Sequence, residues 1–218
     1  MSNLTQEDIL KKLSQNHELI FTSFHEAGHT ICALLHYMSV PMVTISLTEH
    51  RAEGYTHYNI IEHQNIIDPE ILNYFIISEI NISYAGLVCE KILNKSLCGS
   101  DNFPILLREG SSPDILNAST LIKKNNLALP GKPRSLFKKR ILKELSQLLQ
   151  NNWDDVRLIA HLLYRKKKIN YDDLRTLLTK KSLNKIFWRE RFREIDILTR
   201  PSGITEEDLR FVFFKGSS

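Results

Sequence analysis

The sequence has 218 residues, of which 42% are hydrophobic and 25% charged, with only 8 Gly and 7 Pro. This length and composition exclude a disulfide-stabilised miniprotein and a disordered or collagen-like chain, and they favour a mostly α-helical fold. The net charge of +4 is divided unevenly: residues 1–110 carry −7, from 6 basic and 13 acidic side chains, and residues 111–218 carry +11, from 23 and 12.

The first segments of the chain are predicted to be two helices and a small sheet. Apolar residues at helical spacing predict a short amphipathic helix over residues 5–19 and a second helix that begins near Ser23. After Pro41 the pattern changes, because apolar and polar side chains alternate along the chain. This alternation predicts a small β-sheet or hairpin near residues 42–61.

The rest of the chain is also predicted to be mainly helical. Asp68 and Ser112 are each followed by Pro and an acidic residue, which is typical of a helix start. These signals predict helices that reach to about Leu93 and about Asn126, with an irregular stretch over residues 94–110 between them. Three further helices are predicted near residues 135–151, 153–166 and 171–180.

The tail of the chain carries weaker signals. Residues 183–218 are predicted to be less regular, apart from a helix that begins at Thr205, where two Glu and an Asp follow a helix-capping side chain. We therefore divide the chain into one domain over residues 1–182, whose helical second half starts at about residue 111, and a C-terminal extension of unknown role over residues 183–218.

Several features indicate a cytoplasmic protein. Cys32, Cys89 and Cys98 have no CxxC spacing, which argues against a zinc knuckle and favours a reducing compartment. The N-terminus lacks the basic start and the apolar stretch of a signal peptide. The apolar stretch over residues 71–93 is interrupted by polar side chains such as Glu79, so we expect a buried helix and no membrane span.

One motif in the sequence has clear chemistry, His25-Glu26-Ala27-Gly28-His29. Residues four apart on a helix share one face, so His25 and His29 can direct ring nitrogens at a single metal ion. Glu26 is placed to accept a proton from metal-bound water without binding the metal. The surrounding segment is otherwise apolar, and two imidazoles and a carboxylate are seldom buried there without a reason. The sequence therefore predicts a zinc site.

A catalytic zinc needs a third protein ligand and keeps its fourth position for water. Spacing alone does not choose among the candidates. For His57 and His63 the alternative is an ordinary exposed histidine in a strand or loop. The candidates for the third ligand are Glu90, Asp101, Asp114, His50, His57, His63 and His161.

Four short segments extend the motif into a longer pattern. They are FHEAGHT at residues 24–30, GYT at 54–56, YAGLVCE at 84–90 and GSSPDILNA at 110–118. In this order they resemble landmarks of the peptidase domain in the FtsH family of ATP-dependent zinc metalloproteases. A helical pair over residues 153–178 resembles the closing helices of that family, so the resemblance covers about residues 20–180.

The resemblance implies a set of roles for the site residues. It makes His25, His29 and Asp114 the zinc ligands and Glu26 the general base. Glu90 becomes a partner that orients an imidazole. Glu90 also stays an alternative third ligand, because a downstream Glu binds the metal in some other HExxH enzymes.

The same resemblance implies a fold, a substrate and partners. We expect a zincin-like helical metalloprotease domain over residues 1–182, with a strand at Gly54, Tyr55 and Thr56 that receives the polypeptide substrate. The sequence has no GxxxxGK[ST] phosphate loop, and too few residues precede the motif helix for an ATPase module. The expected activity is therefore a stand-alone, ATP-independent zinc endopeptidase for unfolded or loosely folded proteins, with a second copy or a separate unfoldase as further partner.

Two other functions fit part of the sequence. A peptidase fold could serve as an adaptor or regulator with a structural zinc, and its basic second half would then bind a partner. The intact Glu26 argues against this reading, since an adaptor needs no general base. A nucleic-acid-binding function rests on charge alone, because no aromatic recognition motif accompanies the basic clusters, and we do not expect it.

Overall fold

The computed structural model describes residues 6–48, 51–59, 68–98 and 112–199, together with positions 208 and 212. These residues form seven helices and three strands. The helices are α1 (Gln6–Leu35), α2 (Pro69–Cys98), α3 (Ser112–Lys124), α4 (Arg134–Asn151), α5 (Trp153–Lys166), α6 (Tyr171–Lys181) and α7 (Lys185–Leu198). The strands are β1 (Met42–Leu47), β2 (Ala52–His57) and β3 (Lys168–Asn170). The predicted mostly α-helical fold with a small sheet is confirmed.

Three details of the predicted secondary structure are wrong. A single helix, α1, replaces the two helices predicted over residues 5–19 and from Ser23, because no Gly or Pro interrupts the chain between them. Helix α2 extends past the predicted end at about Leu93 into the predicted irregular stretch, as far as Cys98. In the tail, α7 is a regular helix of 14 residues where a less regular segment was predicted. The helix predicted from Thr205 lies mostly outside the described residues.

The sheet is antiparallel, with β1 in the centre and the order β2-β1-β3. Ile45 of β1 lies opposite Gly54, and Val43 lies between Thr56 on one side and Ile169 on the other. Val43, Ile45, Thr56 and Ile169 are buried and alternate with half-buried or exposed residues, so one face of the sheet is buried and the other meets solvent. Strand β3 was not predicted, because three residues are too few to show an alternating pattern.

Helices α1 and α2 form the centre of the core. Ala27, Ile31 and Leu34 of α1 are fully buried, as are Phe75 and Ile80 of α2. A helix that is apolar on most sides is stable in water only when other elements cover it. Here α2, α5 and the sheet cover α1, and the HExxH motif therefore lies deep inside the protein.

Helix α2 is also the one described segment that is long and apolar enough to cross a membrane. The stretch Pro69–Leu97 meets this criterion by length and composition, and 72% of its most apolar window is buried inside the protein. The central helix of a soluble core has the same two properties.

Helix α7 belongs to the same hydrophobic core as the preceding helices. Trp188, Phe192 and Ile195 are buried on one side of it. The indole N–H of Trp188 donates a hydrogen bond of 2.8 Å to Oδ2 of Asp155, a buried carboxylate in the first turn of α5. This bond joins the tail helix to the body of the protein.

We predict that Trp188→Phe lowers the free energy of unfolding by about 1 to 3 kcal/mol, because it removes a donor from a buried carboxylate. Urea denaturation measures this change. Ile186→Ala, at an exposed position of the same helix, is the control and should change stability by less than about 0.5 kcal/mol. Equal stability of the two variants would contradict the described packing of α7.

Candidate metal centre

Three side chains from two helices meet at the motif. His25 and His29 are buried one turn apart on α1, with ring centroids 4.7 Å apart. Asp114 comes from the first turn of α3, where a carboxylate is also stabilised by the positive end of the helix dipole. His25, His29 and Asp114 are the single group of three potential metal ligands found within the described ranges, and their ligand atoms all lie within 4.8 Å of one another.

The distances within this group fit a small metal ion. Oδ2 of Asp114 lies 3.1 Å from Nε2 of His25 and 3.3 Å from Nε2 of His29. In a tetrahedral site with bonds of about 2.0 to 2.1 Å, neighbouring ligand atoms are about 3.3 Å apart. The three residues could therefore hold a metal ion with little rearrangement.

The other nitrogen of each imidazole is fixed by α2. Nδ1–H of His25 donates to Oε1 of Glu90 over 2.9 Å, and Nδ1–H of His29 donates to the carbonyl oxygen of Ile82 over 2.6 Å. Both acceptors lack a proton of their own, so they keep the hydrogen on Nδ1 and direct Nε2 of each ring toward Asp114. Partners of this kind orient metal-binding histidines in proteins.

The charges of the group favour a cation between the rings and the carboxylates. Burial lowers the pKa of His25, but hydrogen bonds to Asp114 and Glu90 and the charge of Glu26 outweigh it and raise that pKa to about 10. For Asp114, burial raises the pKa, whereas the hydrogen bonds and charges of His25 and His29 bring it well below its usual range. A divalent metal could take the place of the imidazole proton and supply the same positive charge.

Glu26 lies beside the group and is held by the sheet. Its side chain is buried, and Oε2 accepts a hydrogen bond of 2.6 Å from the hydroxyl of Thr56 on β2. A Cβ atom at Gly54 would lie only 2.5 Å from Oε1 of Glu26. The absence of a side chain at Gly54 therefore gives the carboxylate its space, and Thr56 fixes its direction.

A second glycine makes space for a histidine. A Cβ atom at Gly86 of α2 would lie 2.4 Å from Nε2 of His25. Glycine inside a helix costs about 0.5 to 1 kcal/mol relative to alanine, so its presence in the middle of α2 is a signal that the sequence analysis did not use. The contact of the Ile82 carbonyl with His29 and the hydrogen bond from Thr56 to Glu26 were not predicted, because both join segments far apart in the sequence.

The other candidates for the third metal ligand do not belong to this group. Glu90 contacts Nδ1 of His25, on the opposite side of the ring from Asp114. His57 is exposed on β2 and His161 is exposed on α5. His50, His63 and Asp101 lie outside the residues that the structure describes.

No known protein-family model matches the chain, and no curated protein matches it. The resemblance to the FtsH peptidase domain therefore stays a prediction from the quoted segments. The geometry of the His25, His29 and Asp114 group is independent of that resemblance.

Gly86→Ala should abolish tight metal binding, because the new methyl group occupies the position of the His25 ring. Loss of a partner that only orients a ligand typically costs 10- to 100-fold in metal affinity, and displacement of the ligand itself should cost more. Gly54→Ala is the matched change on β2, where the methyl group meets Glu26, and this variant should keep its metal. Metal content measured by mass spectrometry on the native protein distinguishes them. Full metal content in Gly86→Ala would show that the His25 ring lies elsewhere.

We further predict different effects for the two carboxylates near His25. Asp114→Asn should weaken metal retention far more than Glu90→Gln, since it alters a residue whose oxygen faces both Nε2 atoms. Removing a partner of Nδ1 typically costs 10- to 100-fold in affinity. Competition with a chelator measures both variants. If Glu90→Gln empties the site while Asp114→Asn leaves it filled, Glu90 is the third ligand.

Proposed function

We propose that the protein is a zinc metalloendopeptidase that cleaves unfolded or loosely folded polypeptides. The observation that carries the proposal is Glu26, a buried carboxylate next to the His25, His29 and Asp114 group but not a member of it. A site that only stabilised the fold would not need such a group. A general base, in contrast, must be close to the metal site and free to accept a proton.

The donor set of the group suits zinc. Two imidazole nitrogens and one carboxylate oxygen are a common ligand set of catalytic zinc, which leaves a further position open. When bound, Zn²⁺ would polarise the scissile carbonyl and lower the pKa of a water molecule toward neutrality. His25, His29 and Asp114 would hold the ion, and Glu90 and the Ile82 carbonyl would keep the imidazoles in position.

Glu26 would transfer the proton in this reaction. Thr56 donates its hydroxyl hydrogen to Oε2, so Oε1 stays available to take a proton from the attacking water. The same oxygen could then return the proton to the leaving amine. Thr56 acts here as a positioning residue, because it contacts Glu26 and fixes the direction of the carboxylate.

Among the described strands β2 lies at the edge of the sheet, and this edge could bind an extended substrate. The N–H of Thr48 donates to the carbonyl of Arg51 across the hairpin, and peptide groups alternate between the two sides of a strand. The peptide groups of Ala52, Gly54 and Thr56 therefore point away from β1. The N–H of Ala52 already donates to Glu18, which leaves those of Gly54 and Thr56 next to Glu26.

A polypeptide could pair with these groups as an added strand. Recognition through backbone hydrogen bonds depends on an extended conformation more than on sequence, which favours unfolded substrates. The side chain of Tyr55 is 60% exposed on the outer face of β2, where it could contact alternate side chains of the substrate. The 218 residues contain no phosphate loop, so we propose that they act without nucleotide.

Glu26→Gln should keep its zinc and its fold but lose hydrolysis of casein by about 10²- to 10⁴-fold, since the change preserves size and removes the proton acceptor. Cleavage rates and metal content measured on one preparation separate chemistry from binding. The wild-type rate should be the same with and without ATP.

His25→Ala is the contrasting variant, and it should lose both metal and activity because it removes a ligand. The peptidase proposal fails if the zinc-loaded wild type does not cleave casein. It also fails if Glu26→Gln cleaves casein as fast as the wild type. Zinc would then stabilise an adaptor or regulator instead.

A further inference from the structure

The turn between α6 and α7 exposes a cluster of large apolar side chains. Leu183 is 83% exposed, Ile186 is 73% exposed and Phe187 is 38% exposed. Nine large apolar side chains are exposed in the described part of the chain, and these three lie within five consecutive residues. Single exposed apolar residues are ordinary on a protein surface, whereas a contiguous cluster is typical of an interaction surface.

This turn is held in one conformation by the residues between the exposed ones. Ser182 and Trp188 are fully buried. The backbone N–H of Asn184 donates a hydrogen bond of 2.9 Å to Oγ of Ser182, and the N–H of Trp188 donates one of 3.1 Å to the carbonyl of Asn184. The side chains of Leu183 and Ile186 therefore project from a fixed turn into solvent.

The exposed apolar surface continues from the turn onto α1. Leu183 and the half-exposed Ile20 line a shared cavity of about 690 Å³, together with Phe24. Ile20 and Phe24 lie about 140° around the axis of α1 from the two histidines of the HExxH motif. This surface therefore faces away from the candidate metal centre.

Basic side chains surround the exposed apolar ones. Residues 180–189 contain four basic residues and no acidic residue, which gives this segment a charge of +4. The four are Lys180, Lys181, Lys185 and Arg189, and all of them are exposed. Arg189 lies one helical turn after Ile186 on α7, so apolar and basic groups are neighbours on the same surface.

Two properties of this turn suit an anionic lipid surface better than a protein. Leu183 and Ile186 project outward, so only a partner that surrounds them can remove them from water. The interface of a bilayer takes up such side chains and places anionic headgroups at the level of the basic ones. A protein partner would need a groove of matching shape with acidic walls.

We propose that the α6–α7 turn docks the protein on an anionic membrane surface. Leu183, Ile186 and Phe187 enter the boundary between headgroups and acyl chains, and the lysine ammonium groups stay at the level of the headgroups. The protein lies on the membrane through this turn and does not span it. Docking of this kind requires no peptidase activity, so it is independent of the proposed function.

Sedimentation of the full chain with lipid vesicles tests the proposal. The vesicles contain either phosphatidylcholine alone or phosphatidylcholine with about 30% phosphatidylserine. We expect the wild type to bind the anionic vesicles about 100-fold more tightly than the neutral ones, since each basic residue near an anionic surface contributes about 5-fold. Salt at about 0.5 M should remove most of this difference, because it screens the charges.

The apolar contribution is measured with Leu183→Ser combined with Ile186→Ser. This variant should bind the anionic vesicles about 10- to 100-fold more weakly, because it removes the side chains that enter the bilayer. Leu97→Ser is the control and should bind as the wild type does. Leu97 is 62% exposed but lies about 40 Å along α2 from Ile71, which lines the same cavity as Phe187.

The basic contribution is measured with two matched pairs of lysines. Lys180→Gln combined with Lys181→Gln should weaken binding to the anionic vesicles by about 25-fold, or about 5-fold for each charge. Lys123→Gln combined with Lys124→Gln should leave binding unchanged. Both pairs lie in the last turn of a helix, so both variants lose the same interaction with a helix dipole.

Thermal unfolding separates a surface role from a structural one. All the variants change exposed side chains, so each should melt at the wild-type temperature. The proposal is overturned if the wild type does not bind anionic vesicles, or binds anionic and neutral vesicles equally. Equal losses from the two lysine pairs also overturn it, even if the serine variant does not fold. A dimer that the serine variant dissociates, without vesicle binding by the wild type, would make a second copy of the chain the partner instead.

Discussion

The arrangement of the protein depends on burying two imidazoles between α1 and α2. Each ring has two nitrogens, and a buried nitrogen without a partner costs free energy. His25 and His29 meet this requirement in the same way. Nδ1 contacts an acceptor on α2, and Nε2 faces Asp114 on α3. The candidate metal centre therefore requires that the three helices keep fixed positions relative to one another.

Two glycines and one threonine allow close packing around His25, His29 and Glu26. Gly86 lets α2 approach the His25 ring, and Gly54 lets β2 approach Glu26, at distances that no other residue would permit. Thr56 then holds the Glu26 carboxylate. The strand that positions the proposed base is also the strand whose open edge could bind substrate, so one element would place both the proton acceptor and the peptide to be cleaved.

The mostly helical fold, the hairpin and the pair of histidines His25 and His29 could be predicted from the sequence, because each has a local pattern. Asp114 has no such pattern, and only the family resemblance selected it from the other candidates. The HExxH spacing places two ligands on one helix face whatever the rest of the chain does. Long-range features could not be predicted in this way. The pairing of β3 with β1 and the approach of Gly86 to His25 join segments far apart in the sequence. The burial of α7 is also set by tertiary contacts.

The central claim is that His25, His29 and Asp114 bind one zinc ion beside Glu26. A crystal structure of the zinc-loaded protein, with anomalous data on both sides of the zinc edge, tests it most directly. The account predicts a single zinc peak with Nε2 of both histidines and an oxygen of Asp114 at about 2.0 to 2.2 Å, and Glu26 outside bonding distance. A peak ligated by Glu90 or Glu26, or no peak between α1 and α3, would contradict it.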